Sequence, residues 1–548
     1  MRRVLLVASA LALACTSGTY QGATDVPADS PAAVPYRFTG PDWYRNAVFY
    51  QVWLRSYADS DGDGIGDLKG LTGRLDYIAS LGVGAIWLSP FYPTQYRDSG
   101  YDVADYEGVD PAYGTLADWD AFLAAAHARG IRVFNDLVLN HTSDQHPWFV
   151  ASRSSRDDPK RAWYVWSDDP PPFACPNSDV TNFGAERWTL DAATGQRFYH
   201  RFKVYQPDLN YWNPDVGKAV RDVVRFWLDR GVDGYRMDAI GTLFEEAASP
   251  ATGAPEVCDS HPKTHAFLRG LRGILDGYPD RVMLAEAGTP DFYGNGHDEF
   301  HMAFHTDLQV AIALSVSVDD PAGLFGMLPG LFAPLPEGAQ VACWLSNHDF
   351  GRVAGEVGGD LERDAVAAVV LLTLPCTPIV YYGDEVGVGP GTAVVVDGRD
   401  AFRTPMAWTA GPGAGFTTGT PWIAPSPDPG TANVAAQDGV KGSLLTLYRG
   451  LIALRNRVGS LGGRVWAPVA VTGDAGPYAY VRGPEGGRVL VVLNAGAAPA
   501  SVVVDASAYV GRAASCPIAK ATIGPLDPTT AAAWKVDLPA RGYVVCEL

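Results

Sequence analysis

The chain predicts an α/β fold: a (β/α)8 TIM barrel carrying a small inserted domain and followed by an antiparallel β domain. Three observations predict it. Eight short runs are apolar without alternation, as strands covered on both faces are. Helix-length amphipathic segments separate them between about residues 45 and 460. Beyond about residue 462 the pattern changes to short runs such as YAYVRG, RVLVVLN, ASVVVD and GYVVCEL, divided by Gly and Pro.

In chain order the strand-like runs are AVFYQVWL (47–54), GVGAIWLSP (82–90), IRVFNDLVLN (131–140), VDGYRMDA (232–239), RVMLAEA (281–287), FHMAFH (300–305), VACWLSNHD (341–349) and TPIVYYGDE (377–385). Of the helices between them, TLADWDAFLAAAHARG opens on a Thr cap and closes on Gly130, and PDVGKAVRDVVRFWLDRG opens with Pro214 and closes on Gly231. After the third run, residues 141–207, rich in Trp, Pro and Asp, delay the next barrel helix and read as an inserted domain. The expected division is 1–35 signal and tether, 36–140 and 208–462 barrel, 141–207 insertion and 463–548 β domain.

Arg2 and Arg3 followed by the apolar run Val4–Ala14 describe an export signal. LALAC resembles a bacterial lipobox with Cys15 as the lipidated residue, although Ala12 stands where Leu is favoured. Location is therefore expected to be periplasmic or extracellular, with membrane attachment only through a lipid on Cys15. The Ser-, Pro- and Ala-rich stretch to about Pro35 reads as a tether, and no later segment has about twenty uninterrupted apolar residues. A net charge of −19 argues against nucleic acid or anionic headgroups as partners and suits a neutral sugar, while also serving solubility. The spacing shows no zinc pattern. Cys516 with Cys546 and Cys175 with Cys258 are the favoured bridges by location, whereas Cys343 and Cys376, in apolar runs, are expected as buried thiols.

Polar residues fall where the strands end. Strand three runs into Asp136, Asn140 and His141, strand four into Arg236 and Asp238, strand five into Glu286, and strand seven into Asn347, His348 and Asp349. A carboxylate at the tip of a buried strand is costly without a partner or a task, and the strand C-termini of a barrel share one mouth. Glycoside cleavage needs such a pair, set roughly 5–5.5 Å apart in retaining enzymes. Arg236, two residues before Asp238, faces the same way and should keep that carboxylate ionised. Glu286 follows an apolar run suited to raising its pKa.

The motifs FNDLVLNH, GYRMDAI, MLAEA and WLSNHD, with GVGAIWLSP, QPDLN and YYGDEVGV, resemble those of the α-amylase superfamily (glycoside hydrolase family 13) over about residues 40–460. The resemblance implies Asp238 as nucleophile, Glu286 as acid/base and Asp349 as the carboxylate holding sugar hydroxyls. It implies that Asp102, His141, Arg236 and His348, with Arg403 as a further candidate, grip the terminal glucose. QPDLN and RTPMAW resemble the α-glucosidase, oligo-1,6-glucosidase and trehalose synthase group, with Ala407 in place of the group's usual Gln. Ala239 after the nucleophile suggests an α-1,4 preference.

The loop DSDGDGIGD offers Asp59, Asp61, Asp63 and Asp67, with the Ile65 carbonyl, at a spacing suited to an oxygen-ligated cation, although Gly70 rules out an EF-hand. Similar loops in α-glucosidase relatives imply structural Ca2+. Aromatics of the insertion (Trp163, Tyr164, Trp166, Trp188, Phe198, Tyr199) are expected to be mainly its core. The reading is an exo-acting retaining α-glucosidase on maltose or malto-oligosaccharides. Its rivals are an endo-acting α-amylase, a trehalose-synthase-like isomerase or transglycosylase, which an export signal disfavours, and a non-catalytic sugar-binding relative.

Overall fold

A computed structural model describes residues 35–170, 186–244, 260–287, 289–427, 429–484, 487–505, 507–509, 515–523 and 533–548. The export signal, Cys15, the tether up to residue 34, and Cys175 and Cys258 lie outside the described residues.

The barrel strands are Phe49–Val52, Ala85–Leu88, Arg132–Val138, Gly234–Asp238, Val282–Ala285, Met302–Phe304, Gln340–Trp344 and Thr377–Tyr381, closed in that order. The first pairs in parallel with both the second and the last, Phe49 lying opposite Ala85 and Ile379. Each matches one of the eight apolar runs. The strands are shorter than the runs because the residues after each strand peel away into the loops of the mouth. Helices cover the outside: Leu116–Ala128 starts at a Thr115–Asp118 capping box, and Pro214–Asp229 buries Val216, Val220, Val223, Val224 and Trp227 on one face.

The inside of the barrel is divided along its axis. Phe49, Trp87, Phe134, Leu284, Met302, Phe304 and Trp344 form one apolar cluster, closed at the N-terminal end by Trp43 and Tyr44 from the short helix Trp43–Asn46. Trp43 stacks on Phe49 with ring centroids 5.8 Å apart. The buried polar side chains Asp136, Arg236, Asp238 and His348 lie at or just beyond the strand C-termini. The packed half is a rigid base, and the chemistry is confined to the opposite mouth.

In the insertion, Trp166–Ser167, Gln196–Tyr199 and Trp188–Asp191 form a three-stranded antiparallel sheet. Its entering and leaving ends are held together by antiparallel bridges between His141 and Asp208 and between Tyr164 and Leu209. Tyr164, Trp188, Phe198 and Tyr199 are buried, and Trp163 and Trp166 pack partly buried against the core, so all six aromatics serve packing.

After helix Leu444–Val458 the chain forms a five-stranded sheet built on Val489–Asn494 and Gly542–Glu547, and a four-stranded sheet built on Ala500–Asp505 and Ala533–Leu538. Cys516 and Cys546 are bridged across two of these strands, as favoured. The buried Arg482 donates to the carbonyls of Thr373, Leu461 and Gly463, fastening this unit to a barrel helix. Cys343 and Cys376 correct an expectation: they are not free thiols but a disulfide, Cα–Cα 6.1 Å. Strands seven and eight lie side by side with Cys343 opposite Pro378, so two apolar segments 33 residues apart become neighbours only on barrel closure. Among the described residues no helix is long and apolar enough to cross a membrane.

Candidate active site

Four strands present the site. Arg236 and Asp238 are alternate residues of strand four and point inward together; Glu286 follows strand five directly; Asp136 lies on strand three. Asp349 comes five residues after strand seven ends, in a turn where Asn347 Oδ1 accepts the N–H groups of Asp349 and Phe350, each at 2.8 Å. Ala239 turns the chain immediately after Asp238 with φ +47°, a left-handed conformation that costs an L-residue about 1–2 kcal/mol. That turn aims the Ala239 N–H at Glu286 Oε2, 3.0 Å away.

Arg236 is the centre of the cluster. Its Nη1 lies 2.8 Å from Asp136 and 2.6 Å from Asp238, and its Nη2 lies 2.8 Å from Glu286. One guanidinium thus faces three carboxyls in a buried site, and it cannot compensate three negative charges. Burial pushes Glu286 up to about 7 against the pull of Arg236, with Asp238 and Asp349 adding repulsion. Burial also raises Asp238 above the ordinary carboxylate value, opposed by Arg236 and by a hydrogen bond shared with Glu286. Arg236 thus limits the rise of Asp238, pulling toward the ionised form against the desolvation that opposes it. Asp349 is held well below the usual range: burial works to raise it, but His348, Arg399 and Arg403 outweigh that. Burial thus raises Glu286 and Asp238 together, while Asp349 is left a firm anion.

His348 is stacked between Trp53 and Tyr101, at centroid distances of 5.4 Å each. Gln51 Nε2 lies 2.8 Å from its Nδ1, and burial lowers its pKa, favouring the neutral ring. With Nδ1 accepting from Gln51, Nε2–H faces the Tyr101 hydroxyl (2.6 Å) and Asp349 (3.1 Å), and Tyr101 donates to Asp136 at 2.9 Å.

Asp238, Glu286, Asp349 and His141 line one cavity of about 330 Å3, at the small end for ligand sites. Its wall also contains Asp98, Tyr101, Arg201, Phe202 and Arg399. Four expected sugar contacts stand elsewhere. Asp102 is fully buried outside the wall and accepts the backbone N–H groups of Gln95, Arg97 and Asp98, so it shapes the loop that presents Asp98. Arg236 and His348 stand behind the carboxylates. Arg403, fully buried, donates to the His348 carbonyl and to Asp349, supporting the third carboxylate from behind. Asp98 and Arg399, which line the wall, precede Asp102 and Arg403 by four residues; the acidic pair in DSGYD and the basic pair in RDAFR were the available signals. His141, buried and lowered to about 4 by desolvation, lies 3.0 Å from Gln206 of QPDLN, which donates to Asp98 at 2.8 Å.

In the loop after strand one, Asp59, Asp61 and Asp67 each bring a carboxylate oxygen within 4.8 Å of the others. Asp63 is not among them; its Oδ1 accepts the Ile65 N–H at 2.7 Å. These are hard oxygen donors of the kind that hold Ca2+.

A closed parallel barrel with an acid, a second carboxyl and a firm carboxylate around one cavity at its C-terminal mouth defines an enzyme that works on glycosidic bonds. The α-amylase catalytic-domain model matches residues 51–462, and the chain belongs to that family. It is 40% identical over 471 residues to the trehalose synthase/amylase of Mycolicibacterium smegmatis, covering 76% of this chain and 77% of the relative. It is 39% identical to a probable alpha-glucosidase of Rhizobium meliloti, covering 76% and 82%. Among solved structures, a trehalulose synthase variant superimposes with a TM-score of 0.78 at 30% identity over 92% of this chain and all of that one. An α-glucosyl transfer enzyme gives a TM-score of 0.77 at 32% identity, covering 93% and 100%.

The raised Glu286 predicts a pH dependence. An acid of that pKa donates its proton below it and is spent above it, so kcat/KM is expected to fall as pH rises through about 7. The pH profile of an α-glucoside with a poor leaving group checks this. A basic limb near the ordinary glutamate value would contradict the assignment.

Proposed function

We propose that the protein transfers α-glucosyl groups of short α-glucosides such as maltose, moving them to a sugar hydroxyl in a trehalose-synthase-like rearrangement rather than mainly to water. Glu286 gives its proton to the glycosidic oxygen as the bond to C1 breaks, and Asp238 attacks C1 to form an ester. A hydroxyl of the departed glucose, turned over in the pocket, then attacks C1; its proton passes to Glu286 and the ester electrons return to Asp238. Asp349, paired with Arg399, binds hydroxyls of the glucosyl ring and stays anionic throughout. Asp98, held by the same Arg399, and His141 bind the same ring beside it.

The observation that carries the reading is the set of ion pairs beside Asp349. Arg399 holds Asp349 and is tied to Asp98 and Asp397, so charged groups gather where a terminal glucosyl ring would sit, which suits short substrates better than the interior of a polymer. The similarity to trehalose synthases, 36–40% identical over most of the chain, supports transfer over the exo-hydrolysis that the sequence alone favours. Exo-hydrolysis remains the second reading. It is favoured by the likeness to a probable alpha-glucosidase and by two disulfides, which suit an oxidising compartment where an exported hydrolase would work.

We further propose that Asp59, Asp61 and Asp67, with the Ile65 carbonyl, hold a structural Ca2+. Asp59 also accepts from Thr417 and its N–H donates to the Phe416 carbonyl, so the ion would brace strand one's loop against the segment that follows the strand-eight loop. Calcium at a hundred times its Kd should stabilise by about 2.7 kcal/mol. EDTA should lower the melting midpoint of the native protein and leave Asp59→Ala unmoved; equal midpoints for native protein with and without EDTA would refute the site. For the reaction, purified enzyme on maltose should yield trehalose as the larger product, read by chromatography. Glucose alone would establish the hydrolytic reading instead.

A further inference from the structure

Four charged side chains from three separate segments meet beside the cavity, two of them, Asp98 and Arg399, lining it. Asp98 comes from the loop after strand two, Lys203 from the end of the inserted domain, and Asp397 and Arg399 from the loop after strand eight. Lys203 Nζ lies 2.7 Å from Asp98 Oδ1 and 3.2 Å from Asp397 Oδ2. Arg399 Nη2 lies 2.6 Å from each of the same two oxygens. The four atoms form a ring in which two cations and two anions alternate, and the ring carries no net charge. Its side chains are between 7% and 24% exposed, so solvent screens them less than it does ordinary surface pairs. Arg399 uses its other nitrogen to hold Asp349 Oδ1 at 2.9 Å, which couples the ring to the catalytic mouth.

Lys203 is the inserted domain's contribution to the ring. The two residues immediately before it, Arg201 and Phe202, line the cavity, and three residues after it Gln206 donates to Asp98 Oδ2 at 2.8 Å. The segment 201–206 therefore forms the wall on that side, and Lys203 fastens it to two barrel loops at once. Without the ammonium, Asp98 would keep Arg399 and Gln206 as donors, and Arg399 would hold Asp397 and Asp349 as well. The wall would keep Gln206 on Asp98 and the Tyr205 hydroxyl on the Arg97 carbonyl, both in the loop after strand two, and would lose the Lys203–Asp397 pair to the loop after strand eight.

We propose that Lys203 is a positioning residue: an ionic latch that holds the inserted domain shut over the cavity, retains the released glucose beside the glucosyl ester, and so sets the partition between transfer and hydrolysis. The partition part of the inference rests on the transfer reading above; the latch itself does not.

The test measures glucose release directly. In a Glu286→Gln background, which cannot turn over, stopped-flow tryptophan fluorescence follows the dissociation of bound glucose, with Trp53 and Trp87 packed around His348 as reporters. Loss of two charge-assisted contacts should speed release by about tenfold in Lys203→Met, and Lys203→Arg should stay within about twofold of its parent. With Glu286 intact, Lys203→Met should raise the ratio of free glucose to disaccharide product from maltose by about tenfold. Circular dichroism melts establish that the variants are folded. Should Lys203→Met not fold, Asp397→Asn breaks the same corner of the ring while keeping the oxygen that accepts the Arg399 N–H, and is expected to release glucose equally fast. Release at the parental rate in the folded variant overturns the latch. A wild type that makes only glucose overturns the transfer reading and leaves the latch to be judged on the release rate alone.

Discussion

The site depends on a shortage of positive charge. Arg236 is buried at the tip of strand four and faces Asp136, Asp238 and Glu286 together, so complete ionisation of all three would leave uncompensated charge in a place with little water. Burial therefore raises these carboxyls, Glu286 to about 7, and Glu286 has one backbone donor and the far side of the guanidinium for support. The rest of the arrangement follows. Asp238 is drawn to the same arginine and shares the proton of its neighbour, and Asp136 anchors the cluster through Trp87 and Tyr101. Asp349 is kept outside this competition by its own cations. Chemistry that needs one acid and one nucleophile across a single bond is built into the electrostatics before any substrate arrives.

The barrel makes that arrangement rigid. Apolar packing of Trp43, Phe49, Phe134 and Trp344 fills the N-terminal half, leaving the strand tips as the place where polar groups can gather. The Cys343–Cys376 bridge joins the strand that leads into Asp349 to the one that leads into the Asp397–Arg399 loop. Arg482 binds the last domain to the carbonyl end of helix Leu361–Thr373, and Arg455, from helix Leu444–Val458, donates to the Leu372 and Cys376 carbonyls beside the same bridge. Stiffness is thereby placed behind the loops that carry the sugar-facing groups.

Much of this was legible in the sequence. All eight strands, the insertion and the closing β domain announce themselves because buried parallel strands read as uninterrupted apolar runs. The three carboxylates stand out because each ends such a run. What was not legible is which of two like residues in a loop points inward. DSGYD offers Asp98 and Asp102, and RDAFR offers Arg399 and Arg403; the loop's own hydrogen bonds decide, and Asp102 is consumed by three backbone N–H groups. The thiols misled for a similar reason, since two apolar segments reveal nothing about adjacency until the barrel closes. A single lysine in a polar loop has no pattern, and Lys203 acquires meaning only when segments far apart in the chain converge on Asp98.

In the proposed mechanism Asp238, steadied by Arg236, bonds to the sugar while Glu286 manages the proton. Trapping the enzyme with 5-fluoro-α-D-glucosyl fluoride and mapping the labelled peptide by mass spectrometry tests this most directly. The label is predicted on Asp238. A label on Asp136 or Asp349, or rapid turnover with no covalent adduct at all, would contradict it.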